Sequence, residues 1–190
     1  MGAINLNRVF SEGFFRIPDY QRGYSWNDKQ LSELWDDIDE IQEERGELKK
    51  HYTGTIFLEK TKANDAEKWI SDDIFYVVDG QQRLTTLSIL LFVLIESSDK
   101  GYADKRKEFW VEQFLYQENQ SGNSKVYKFG YQESDKNYKF LYQNIFEDKN
   151  ELSDSSVINL YAKNLLAAKN FSMIKLRILA MKKEILFSEK

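Results

Sequence analysis

The chain has 190 residues, 42% of them hydrophobic and 15% aromatic, with one histidine, one proline, no cysteine and a formal net charge of −4. Its apolar content supports a real core and excludes bulk disorder. The missing cysteine excludes disulfides, thiol catalysis and thiolate metal sites in this segment, and the acidic balance excludes a broadly basic nucleic-acid surface while leaving a local basic patch open.

Residues 4–17 carry short apolar groups, read as an initial strand or short helix and then a strand over residues 14–17 that enters Pro18. A residue before proline is pushed toward extended geometry, which fits. Residues 19–26, DYQRGYSW, form a loop dense in aromatic and hydrogen-bonding groups. Asn27, with Gln30 three positions on, predicts a capping box. Leu31, Leu34, Trp35, Ile38 and Ile41 then recur at helical spacing, with an expected end near Gly46. Residues 52–58 read as a strand containing Gly54, which marks a bulge or a close backbone approach. Residues 59–73 are polar and read as a loop. Residues 74–78, IFYVV, read as a buried strand, antiparallel to the preceding one.

Asp79-Gly80 breaks that strand, and Leu84, Leu87, Leu90, Leu91, Leu94 and Ile95 form the apolar stripe of a helix starting near Leu84. Residues 97–101 are turn-rich. Beyond them Phe109, Trp110, Phe114, Leu115 and Tyr116 line a helix or strand, residues 127–131 a short strand, and residues 135–145 a helix. Residues 153–156 are an N-cap cluster for a helix over 157–171, and the apolar segment 173–187 is a strand or a helix. It carries no stop signal, so the chain is expected to continue into a longer protein. The start, MGAINLNRVF, lacks the basic residues and apolar run of a signal peptide, and the apolar run 89–95 falls far short of the roughly 20 residues that span a bilayer. A cytoplasmic protein without membrane contact is expected.

Two stretches carry chemistry. DGQQR, residues 79–83, joins a strand to a helix N-terminus, where unpaired N–H groups and the macrodipole favour an anion. Gly80 would make the turn, Gln81 and Gln82 would orient a ligand, Arg83 would fork onto phosphate oxygens, and Asp79 would hold a cation or position water. The competing reading is a polar connection whose arginine makes a structural salt bridge. In YQRGYSW, residues 20–26, Arg22 flanked by Tyr20, Tyr24 and Trp26 either sandwiches a base or sugar and meets a phosphate, or stacks on an aromatic minicore. The Gln-Arg pairs 21–22 and 82–83 suggest one shared ligand. His51 is a ligand or base only in competition with a solvated strand-end residue. The acids Asp36, Asp37, Asp39, Glu40, Glu43 and Glu44 read as a solvated helix face rather than a metal cluster. No Walker motif, Rossmann glycine motif or zinc-finger ligand set occurs.

Ile17-Pro18 with Tyr20-Gln21-Arg22 and Tyr24-Ser25-Trp26, then Gly54-Thr55-Ile56, then residues 78–87 resemble, in order and spacing, the N-terminal domain of GmrSD-type modification-dependent restriction endonucleases and SspE-like phage-defence proteins. The resemblance implies an α+β fold, a ParB/sulfiredoxin-like small mixed sheet with helices, followed by a mainly helical part. It implies a DGQQR nucleotide-binding domain over residues 1–97 and a helical extension over 98–190. It further implies a nucleoside triphosphate (GTP or another) with Mg2+ as cofactor. Asp79 and Arg83 would be catalytic, with Asp79 on the metal. Gly80, Gln81, Gln82, Arg83, Thr85, Tyr20, Gln21 and Arg22 would bind nucleotide, and Arg22, Tyr24 and Trp26 would bind DNA. Expected partners are modified DNA, a nuclease domain C-terminal to this segment and, compatible with the family, a second copy of the chain. The alternative is a DNA-binding module that recognises modified DNA without nucleotide turnover. Sulfiredoxin's catalytic cysteine is absent, so its repair chemistry is not implied.

Overall fold

Helix α1 (Leu6–Ser11) leads into strand β1 (Gly13–Ile17), whose five residues are all buried. The computed structural model describes residues 6–11, 13–41, 43–44, 47–48, 52–62, 67–70, 72–98, 104–132, 138–147 and 159–188. After β1 come α2 (Asp28–Asp39), the two-residue strands β2 (Glu43–Glu44) and β3 (Glu47–Leu48), β4 (Phe57–Thr61), β5 (Asp73–Asp79) and α3 (Gln81–Ser97). Helix α4 (Asp104–Trp110) runs into a π-helical turn, Val111–Leu115, followed by β6 (Tyr116–Glu118), β7 (Lys125–Tyr127) and β8 (Phe129–Tyr131). A short α5 (Tyr138–Phe140) runs into a second π-helical turn, Leu141–Phe146, and α6 (Leu160–Ser188) follows.

The main sheet has the order β4-β5-β1-β8. Strand β1 lies parallel to β5 and to β8, and β4 lies antiparallel to β5, so the sheet is mixed and the fold is α+β as expected. Phe15 pairs in register with Phe75 on one side and Phe129 on the other, which sends all three rings to one face. That face, with Ile17 and Val77, packs under α3 in the principal core. On the opposite face Phe14, Ile74 and Val126 form a smaller cluster. Beside it Arg16 pairs with Glu67 at 2.6 Å, both buried. Strand β8 comes from the second half of the chain, and Leu141, Ile145, Leu165 and Ala168 from that half join the same core as β1 and α3.

Local chemistry sets several boundaries. Asn27 Oδ1 accepts from Lys29 N–H at 3.0 Å while Asn27 N–H donates to Gln30 Oε1 at 3.1 Å, the expected capping box, a feature worth about 1 kcal/mol. Helix α2 ends at Asp39 rather than near Gly46, a residue outside those described. Asp36, Asp37 and Asp39 crowd the end where the macrodipole is negative, with no basic residue in the last turn to offset them. The strand expected over residues 52–58 begins only at Phe57, because Gly54 at φ +101° turns the chain out of extended geometry. Val78, expected inside, is 41% exposed at the end of β5. The final apolar segment continues one helix from Leu160, with Asn159 Oδ1 accepting from Ala162 N–H at 2.8 Å. The expected N-cap cluster at 153–156 and His51 lie outside the described residues.

Helix α3 is the hub. It is buried on several sides rather than along one stripe: Leu84, Ile89, Phe92 and Val93 are interior, while Leu94 is 47% exposed. The sheet, the Val111–Leu115 turn and α6 surround it, and a helix enclosed in this way has no single apolar face. Thr85, Thr86 and Ser88 survive in that interior because each hydroxyl donates to the carbonyl four residues back. Among the described residues no helix is long and apolar enough to cross a membrane.

Candidate functional site at the start of helix α3

The parallel strands β1 and β5 end on the same side of the sheet, where the loop after β1 meets the start of α3. A crevice outside the carboxyl ends of parallel strands is where α/β architectures place ligands. Helix α3 begins at Gln81, three residues before the expected start near Leu84, so Gln81, Gln82 and Arg83 are its first turn and not a loop. Gly80, at φ +85° in the left-handed region, makes the sharp entry, and Leu84 N–H already donates to Gly80 O at 3.0 Å. The N-cap residue Gly80 has no side chain to cap this helix start, in contrast to Asn27 of α2, and no other side chain does so among the described residues. The first N–H groups and the positive end of the dipole therefore stay available to an anion.

The segment after Gly54 closes over this corner. A Cβ on Gly80 would lie 3.1 Å from Thr55 O and 3.3 Å from Ile56 Cα. A Cβ on Gly54 would lie 2.7 Å from Arg83 Nη1 and 2.9 Å from its Cζ, so the guanidinium rests directly on Gly54. Arg83 is half-buried, and no carboxylate, carbonyl or ring pairs with it among the described residues. Among the described residues, the structural salt bridge that competed with a functional role is not formed. Gly54→Ala is expected to push Arg83 off its seat and to strain the backbone. It should cost about 1–2 kcal/mol, seen in a thermal melt as a Tm lower by roughly 3–6 °C.

The glutamines divide their work. Gln82 is buried, and both ends of its amide are taken: Oε1 accepts from Ser25 N–H at 2.8 Å and Nε2 donates to Gly23 O at 3.2 Å. It holds the loop. Gln21 Nε2 donates to Val78 O at 3.0 Å, and Gln81 Nε2 donates to Gln21 Oε1 at 3.3 Å. Gln81 is only 7% exposed, yet its Oε1 has no hydrogen-bond partner among the described residues. A buried acceptor left open costs roughly 1–3 kcal/mol, a cost that a donor from a ligand or water would remove.

Asp79 is exposed, and its Oδ1 accepts from Gly80 N–H at 2.8 Å, leaving Oδ2 without a partner among the described residues. No cluster of three or more metal-ligating side chains occurs among the described residues. A Mg2+ here would rest on one carboxylate with phosphate oxygens and water completing its shell, which is the ordinary manner for that ion. Thr85 is buried, its hydroxyl spent on Gln81 O at 2.7 Å.

The aromatic loop is not the sandwich its spacing suggests. Tyr24 is 1% exposed, so its ring belongs to the core and is closed to a base. Thr86 Oγ1 donates to Gln82 O at 2.9 Å, so the Tyr24 hydroxyl is the donor in their 2.8 Å contact. Burial pushes the Tyr24 hydroxyl above the ordinary tyrosine range. Trp26 is half-buried against the principal core. Tyr20 is 67% exposed, and Arg22 is exposed with no ion pair or ring contact among the described residues. Helix α6 pins the loop from behind: Asn164 Nδ2 donates to Tyr24 O at 3.3 Å, and the Tyr161 ring would meet a Cβ on Gly23 at 2.5 Å. These two supports, 140 residues away in the first case, carry no local signature in the sequence.

The three motifs at 17–26, 54–56 and 78–87 thus converge on one corner. A family model described as the GmrSD restriction endonuclease N-terminal domain matches residues 5–188. The chain belongs to this family. The match to the GmrSD N-terminal domain runs through β8 and α6 as well as the α3 corner, and so includes the elements that complete the sheet and pin the loop. It ties the chain to a restriction system. A search of curated proteins finds no match.

Proposed function

We infer that this domain binds a nucleoside triphosphate, GTP or another, at the start of α3 and hydrolyses it with Mg2+. In doing so it would regulate a nuclease directed at modified phage DNA. The observation that carries the reading is Arg83, a half-buried cation without a counter-ion among the described residues, beside a helix N-terminus that no described side chain caps. Backbone N–H groups at the helix start would take phosphate oxygens, and the Arg83 fork would take two more. Mg2+ would lie at Asp79 and offset phosphate charge. The open Oε1 of Gln81, held in place through Gln21, would accept from the attacking water and orient it.

A second reading rests on exposed Arg22 and Tyr20: the same corner meets DNA without turnover. Phosphate release from the purified chain with GTP, ATP or CTP and Mg2+, with and without modified DNA, decides between them. Release is expected. Its absence under every condition would leave the DNA-binding reading. Gln81→Met should change stability by less than about 1 kcal/mol, since it removes an unsatisfied buried acceptor, while lowering turnover about 100-fold with nucleotide affinity retained. Unaltered turnover in that variant would remove Gln81 from the water-positioning role.

A further inference from the structure

On the face of the sheet turned away from α3 lies a cleft of about 400 Å³. Tyr76, between inward-facing Phe75 and Val77, projects to that side in register with Arg16. Tyr127, Tyr131 and Tyr142 line the cleft with it. Tyr127 and Tyr142 stack at 4.8 Å and 26°, and Gly130 leaves room for the Tyr142 hydroxyl, which a Cβ there would meet at 1.8 Å. Tyr76 and Tyr142 are half-buried, and both line the cleft.

The charge here runs against the rest of the chain. Arg16 and Glu67 cancel within their own ion pair. The remaining ionic side chains in the lining are Lys62, Lys125 and Lys139 against Glu147, in a protein whose net charge is −4. Lys125 is engaged with Glu118 at 3.8 Å and lies over the Tyr116 ring. Lys62 and Lys139 are exposed and have no ion-pair partner among the described residues. Amide groups of Gln132 and Gln143 complete the lining.

Half-buried aromatic rings, side-chain amides and two exposed lysines without an ion-pair partner among the described residues, in one cleft, match a planar, hydrogen-bonding group attached to an anion. We propose that this cleft is a second nucleotide site, holding a single base that carries a phosphate, separate from the corner at the start of α3. The base stacks on Tyr76 or Tyr142, and the phosphate meets Lys62 and Lys139. The source is either a free mononucleotide or one nucleotide of a single strand. The cleft is tied to the other corner: Gln132 Nε2 donates to Tyr76 OH at 3.2 Å, and Gln132 Oε1 accepts from Asp19 N–H at 3.3 Å, next to Tyr20.

The test uses the whole chain with two probes, thymidine 5′-monophosphate and a single-stranded hexathymidylate, titrated in calorimetry and fluorescence anisotropy. The Lys62→Glu/Lys139→Glu double variant, which changes only surface side chains, should raise Kd at least about tenfold, while Arg83→Ala should leave it within about twofold. Tighter binding of the hexamer assigns the site to a strand, and no gain over the monophosphate assigns it to a free nucleotide. Photo-cross-linking of a 5-iodouracil oligonucleotide should fall on peptides containing Tyr76 or Tyr142. The proposal is overturned if neither probe binds, if charge reversal leaves Kd unchanged, if Arg83→Ala abolishes binding, or if the cross-link falls on residues 20–26.

Discussion

Arg83→Ala should remove nucleoside triphosphate binding at the start of α3 from calorimetric detection while the circular dichroism spectrum stays that of the parent protein. The guanidinium has no carboxylate partner among the described residues, so deleting it strands no opposite charge. The stability change should stay within about 0.5–1 kcal/mol. Its loss to a bound phosphate is another matter. Charge-assisted, forked hydrogen bonds in a partly desolvated corner are worth about 3 kcal/mol, or roughly a hundredfold in affinity. Arg83→Lys should recover only a minor part, because an ammonium cannot bond two oxygens in a plane. Parental affinity in the alanine variant would end the assignment of a phosphate to this residue.

Gln82→Ala should act in the opposite sense, on the fold first and on the ligand only through it. Its amide is the cross-brace between α3 and the loop at 23–25, and truncation leaves Ser25 N–H and Gly23 O facing a cavity. Two orphaned backbone groups should cost about 2–4 kcal/mol, a Tm drop of roughly 5–15 °C. Amide hydrogen exchange at residues 21–26 should accelerate. Gln82→Glu keeps the acceptor for Ser25 but sets a carboxylate against Gly23 O, and should be nearly as damaging. A Gln82→Ala variant as stable as the parent would mean that the loop is held by Tyr24, Gln21 and Asn164 alone.

Much of this was legible locally. The Asn27–Gln30 cap depends on residues three apart, and Gly54 signalled a close approach that proves to be the seat of Arg83. The start of α3 was harder. Gln81, Gln82 and Arg83 look like loop residues by polarity, but the side-chain amides of the two glutamines donate hydrogen bonds to residues about 60 positions earlier, and both are buried in the first turn of a helix. The Tyr20–Trp26 stretch misled in the other direction, since spacing cannot tell that Tyr24 turns into the core to reach Thr86. Nothing local announces that β8 pairs with β1 or that α6 pins the loop, because the partners lie more than a hundred residues apart. The early end of α2 was readable in principle from its acidic last turn.

The pairing of β1 with β8 has a consequence for biosynthesis. Strand β1 is central in the finished sheet, yet its second neighbour is made only when residues 129–131 are translated. At ordinary elongation rates the ribosome needs roughly 6–20 s to travel from one to the other. Through that interval β1 presents an unpaired edge, and the strongly apolar α3 lacks α6, which covers it in the finished domain. The nascent chain is thus a sticky intermediate for many seconds, and chaperone occupancy in ribosome profiling should peak after α3 emerges and fall once α6 has left the exit tunnel.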